Sequence, residues 1–145
     1  MELFAFSDAS HDCRIGGVFY LSYESGPIHC YSRKLSVISH STFKAEIRAI
    51  DRCMRQILVY RKILEELGHK QMEPTVIYTD SEASVNFFKE YKSSKRVKHL
   101  MKIVHCIREA VNKEIIKLIF ILSEYNVSDL MTKIVERRNF GRLQE

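Results

Sequence analysis

Paired cysteines are missing from this chain. Its four cysteines, Cys13, Cys30, Cys53 and Cys106, are scattered, and none belongs to a Cys-x-x-Cys pair. A structural zinc site needs such close ligand pairs, and a secreted disulfide scaffold is usually shorter and denser in cysteine, so neither is expected. Free thiols in a reducing compartment are expected instead. Long apolar runs are missing too: the stretch Leu118 to Leu122 is far too short to cross a bilayer. The opening residues, MELFAFSDAS, lack the charged and extended apolar regions of a signal peptide. Repeats, low-complexity tracts and linkers are also absent. These absences predict one soluble domain over residues 1–145, intracellular (cytoplasmic or nuclear), with no membrane partner.

What is present fits a globular domain. The 145 residues are 46% hydrophobic and 28% charged, enough for a sizeable core. Lys and Arg number 23 against 18 Asp and Glu, a formal charge of +5. The excess is concentrated. Lys89, Lys92, Lys95, Arg96, Lys98 and Lys102 face only Glu90 in their stretch, which therefore carries as large an excess as the whole chain. A polyanionic partner is compatible with this, and so is a solvated helix face.

Hydrophobic periodicity gives the order β-β-β-α-β-α-α-β-α. Residues Glu2 to Asp8 alternate like a strand. Gly16-Gly17 open a second apolar run, and Ile28 to Arg33 reads as a third strand after the turn Glu24-Ser25-Gly26-Pro27, making an antiparallel meander. Ser39 to Thr42 offer N-caps for a long helix in which Glu46, Ala49, Ile50, Cys53, Ile57, Leu64 and Leu67 recur mostly at three- and four-residue steps, with Gly68 as C-cap. Thr75 to Thr79 is a short β-branched strand ending at Asp80. Helices are expected over about Ser81 to Tyr91 and Val97 to Asn112. A buried strand follows at Ile115 to Leu122, and Asn126 or Ser128 would cap a last helix. Three strands first and alternation afterwards predict an α/β fold with a mixed sheet covered by helices.

Four acids stand out. Asp8 ends the first strand and Asp80 the fourth; if those strands are parallel neighbours, both acids lie at the carboxyl ends where α/β sheets bind ligands. Glu46 shares the phase of the helix's apolar face, where a carboxylate is rarely found unless paired or bound to a cation. Asp129 follows the last strand. Each Asp alone also fits a turn or a helix cap. Together the four would repel one another unless a cation neutralised them. Oxygen-only ligands suit Mg²⁺ or Mn²⁺, and two such ions about 4 Å apart can drive phosphodiester hydrolysis.

FSDAS around Asp8 with Gly16-Gly17-Val18, SRKLSVISHSTFKAE up to Glu46, YTDSEAS around Asp80, RVKHLMKIVHCIRE, and SDLMTK around Asp129 occur in this order over nearly the whole chain. In this the chain resembles the ribonuclease H domains of LTR retrotransposon polyproteins, most closely the copia type. The resemblance implies a five-stranded mixed sheet of order 3-2-1-4-5, with Asp8, Glu46, Asp80 and Asp129 as catalytic acids holding two ions. It implies endonucleolytic cutting of the RNA strand of RNA–DNA hybrids, beside a reverse transcriptase in the same polyprotein and within a virus-like particle. Departures are a short segment between Asp8 and Gly16, closer to the gypsy type; no histidine in the loop Ser123 to Ser128, where Glu124 is the one acid; and Ile134 in place of a proline after Lys133. A start at Met1 without a polymerase portion fits either an excised domain or a captured host gene.

Candidate substrate contacts are Ser10, Arg33, Lys34 and Ser41, with Lys95, Arg96 and Lys98 in the basic stretch. Each equally fits a cap, a strand end or a solvated face. His99 and His105 read as packing or capping residues, and Tyr78, Phe87 and Phe88 as core. An integrase-like nuclease on the same fold is disfavoured, because its third acid usually comes late in the chain. A silent module that binds nucleic acid or protein is the remaining alternative.

Overall fold

A computed structural model describes residues 1–10, 13–22, 25–36, 42–90 and 95–128. Five strands form one sheet: β1 (Phe4–Ala9), β2 (Arg14–Tyr20), β3 (His29–Lys34), β4 (Thr75–Thr79) and β5 (Ile116–Phe120), in the order β3-β2-β1-β4-β5. The first three make the antiparallel meander, and β4 and β5 join β1 in parallel. Among the described residues three α-helices accompany them: α1 (Thr42–Glu66), α2 (Glu82–Lys89) and α3 (Met101–Asn112). The mixed sheet and its order agree with the fold implied by the resemblance.

The long helix α1 forms because its apolar residues fall on one face, and that face has a sheet to cover. Ile47, Ile50 and Ile57 are fully buried against Ala5, Phe19 and Ile77. Burial of each such side chain is worth about 1.5–3 kcal/mol. The helix stops at Gly68, whose φ of +86° suits a residue without Cβ. There the His69 amide donates to the Leu64 carbonyl at 2.7 Å, a bond that closes the last turn. On the opposite face of the sheet Phe4 stacks on Tyr20 at 5.2 Å and Phe6 on Tyr78 at 5.0 Å, so Tyr78 belongs to a second, aromatic layer.

Two expectations need correction. The helix expected from Val97 to Asn112 is divided: Lys95–Leu100 is a 3-10 helix and only Met101–Asn112 is α. No acid and no capping side chain stands at the start of α3, while positive charge crowds the segment before it, which opposes the helix dipole. His99 and His105 are exposed, so packing does not explain them. Cys13 and Cys53 are buried, Cys30 and Cys106 exposed, and all four are free. Among the described residues no helix is long and apolar enough to cross a membrane.

Gly17 is required by packing. A Cβ there would lie 2.5 Å from the Tyr31 ring, which is itself packed against Phe19. Gly17→Ala is expected to lower stability by about 1–3 kcal/mol through overpacking, read as a drop in the denaturation midpoint with an unchanged m-value.

Candidate metal centre

Strand register assembles the acidic corner. In the parallel pair Ser7 stands beside Thr79, so Asp8 and Asp80 are the next residues on neighbouring strands. Adjacent strands lie about 4.8 Å apart. Gly16, directly across from Asp8 on β2, places no side chain beside it. Glu46 enters from the start of α1, which packs against β1. One carboxylate oxygen from each of Asp8, Glu46 and Asp80 lies within 4.8 Å of the others.

Three elements thus bring three acids together in a largely dry place. Asp8 is 0% and Glu46 8% exposed, and Asp80 is half-buried. Asp8 Oδ1 and Glu46 Oε2 are buried oxygens. Like charges this close, withdrawn from water, are stable only if something compensates them. An oxygen-only set of this spacing could hold a hard divalent cation. The turn bearing Asp80 is braced: the Ser81 amide donates to Thr79 Oγ1 at 3.2 Å, and the Ser84 amide to Ser81 Oγ at 3.3 Å, which caps α2.

No family model matches the chain. Over 127 residues, 88% of its length, it is 30% identical to the retrovirus-related Pol polyprotein from transposon TNT 1-94 of Nicotiana tabacum, of which it spans 10%. LC11-RNase H1, solved in complex with an RNA/DNA hybrid, superposes with a TM-score of 0.69 at 18% identity, covering 90% of this chain and 93% of that one. The foamy viral protease-reverse transcriptase, solved in complex with an RNA/DNA hybrid, gives 0.59 at 16% identity, covering 96% of this chain and 20% of that one. The chain has a ribonuclease H-like fold, and its sequence is similar to a segment of a retrotransposon Pol polyprotein.

The remaining candidates of this ribonuclease H-like domain are placed unevenly. Asp129 and Ser41 lie outside the described residues, as do the side chains of Lys95 and Arg96. Arg33 and Lys34 are exposed on β3, at the end of the sheet where Asp8 lies. Lys98 is exposed in the 3-10 helix. Ser10 is buried and closes the β1–β2 turn: its amide donates to the Arg14 carbonyl at 2.9 Å, and its carbonyl accepts from the Cys13 amide at 3.2 Å.

Asn126 has a partner that sequence reasoning missed. It follows a short 3-10 turn, Ser123–Tyr125, and the last helix it was expected to cap lies outside the described residues. Fully buried, it donates through Nδ2 to the Ser7 carbonyl at 3.0 Å, and its Oδ1 accepts from the Ser128 amide at 3.1 Å and hydroxyl at 2.5 Å. It therefore ties the segment leading to Asp129 onto β1, one residue before Asp8. The Asn-x-Ser-Asp spacing was visible, but its partner is 119 residues away. Asn126→Ala leaves the Ser7 and Ser128 groups unsatisfied, and a stability loss of about 1–3 kcal/mol is expected from chemical denaturation.

Proposed function

We propose that the domain is an endonuclease that hydrolyses the RNA strand of RNA–DNA hybrids. The carrying observation is the convergence of Asp8, Glu46 and Asp80 within 4.8 Å in a buried corner. These residues, joined by Asp129, would hold two Mg²⁺ ions, with Mn²⁺ as a substitute. When bound, such ions activate a water and stabilise the leaving oxygen of a phosphodiester. The chain's own part is to hold its carboxylates rigidly. Asp8 and Asp80 leave the centre of a sheet, and Glu46 is fixed by the packing of α1. Burial also keeps water from screening their charge.

Affinity would come from phosphate contacts by Arg33, Lys34 and the basic stretch Lys89 to Lys102. Discrimination of RNA would come from duplex shape and 2′-hydroxyls, without base readout. The resemblance to two proteins solved with RNA/DNA hybrids supports this substrate class. The match to a Pol polyprotein supports a reverse transcriptase in the same polyprotein as partner.

An end-labelled hybrid should be cut in its RNA strand alone, and only with Mg²⁺ or Mn²⁺. Asp80→Asn should lower the rate by more than about 100-fold, since even outer partners of a metal ligand are worth 10–100-fold. Tight binding of the hybrid without cutting would make the domain a silent binding module instead.

A second expectation concerns stability. Cation at about 100 times its Kd stabilises by about 2.7 kcal/mol, which in a chain of this size is a Tm rise of roughly 5–10 °C. Asp8→Asn should abolish that rise, yet melt higher than the native protein in chelator because it relieves like-charge crowding. Differential scanning fluorimetry reads both, and a cation-independent Tm in the native protein would refute the site.

A further inference from the structure

A second concentration of charge lies on α1, outside the basic stretch already described. Arg48, Arg52 and Arg55 recur at four- and three-residue steps, which puts them on one helix face. Between them lies Asp51, the one acid from residue 47 to residue 55, buried to 8% exposure. Arg55 Nε donates to both Asp51 oxygens, at 3.1 and 3.3 Å. Burial raises the Asp51 pKa, while Arg55, Arg48 and Arg52 oppose that rise. One acid offsets one arginine. Two positive charges are left over.

The location of the surplus is defined. The Arg52 guanidinium sits 5.8 Å over the ring of Tyr31, which ties it to β3, the outer strand on that side of the sheet. Helix α3 packs on α1 and on β5, the outer strand on the other side of the sheet. Arg33 and Lys34 are exposed on β3, and Arg14 pairs with Lys34 and donates to Ser32 Oγ at 3.1 Å. The strand β3 carries no acid of its own. Arginine-rich surfaces of this kind bind phosphate oxygens through planar, paired donors.

We propose that Arg48 and Arg52 form, with Arg33, a second phosphate track along the α1–β3 edge, which holds the duplex beyond the acidic corner. The inference rests on the hybrid-nuclease reading and adds where the duplex runs. From Glu46 to Arg52 the helix rises about 9 Å. With one phosphate per 3.4 Å of each strand, that length spans about three nucleotides. The domain would thus grip the hybrid on both flanks, through this track and through the Lys89–Lys102 stretch. Arg55 stays with Asp51 and serves to keep that buried carboxylate paired.

The test is equilibrium binding of a fluorescent hybrid across a salt series at fixed Mg²⁺, in the Asp80→Asn background so that nothing is cut. Arg48→Gln with Arg52→Gln should flatten the slope of log K against log salt by about 2, at about 0.9 per phosphate contact. It should also weaken low-salt binding by about tenfold or more, while Arg48→Lys with Arg52→Lys keeps the slope. If the double glutamine variant melts early, the single variants decide, each with an expected loss of about 1. A folded glutamine variant with the original slope overturns the track and leaves the nuclease reading intact. Binding with the expected slope change, but no metal-dependent cutting by the native protein, keeps the track and removes the nuclease. Absence of hybrid binding by the parent overturns both.

Discussion

The parallel pairing of β1 with β4 is the constraint on which the rest depends. It runs through the middle of the sheet, with Ser7 beside Thr79, and it ends where both strands give way to an aspartate. A slip of one residue would turn every side chain of a strand to the opposite face. It would separate Asp8 from Asp80 and bury Phe4 and Phe6 on the wrong side. Register here is secured from both faces at once, by the aromatic layer on one and by α1 on the other. The acidic corner is a consequence of that double burial.

Helix α1 joins structure to chemistry through its phase. The face that presents Ile47, Ile50 and Ile57 to the sheet also carries Glu46 inward at the first turns. The same helix lays Arg52 over the Tyr31 ring of β3 and pairs Arg55 with the buried Asp51. Tyr31 in turn leaves no room for a side chain at Gly17. One helix therefore places an acid in the dry corner and bases on the rim. That arrangement suits a polyanion whose phosphates are gripped at a distance from the point of attack.

Much of this was legible because it is local. The alternation of β1, the helical steps of α1 and the Gly68 stop are properties of short windows, and the structure follows them. Glu46 was suspect for a local reason as well, since a charged residue sat in the apolar phase. One departure was itself local, a matter of charge and missing caps. The basic start of the helix before Met101 tightened into a 3-10 turn. What no window shows is a distant partner: Asn126, read as a cap, also clamps its loop to β1.

The order of the elements as far as β5 and the α/β class were determined by sequence alone, because period, turn chemistry and side-chain type are written along the chain. Tertiary structure decided which acids meet, and among the described residues these are Asp8, Glu46 and Asp80. It also decided that Asn126 reaches Ser7 and that Arg52 covers Tyr31. Each of these depends on strand order and register, which bring together residues far apart in the chain, and no local pattern specifies such a meeting.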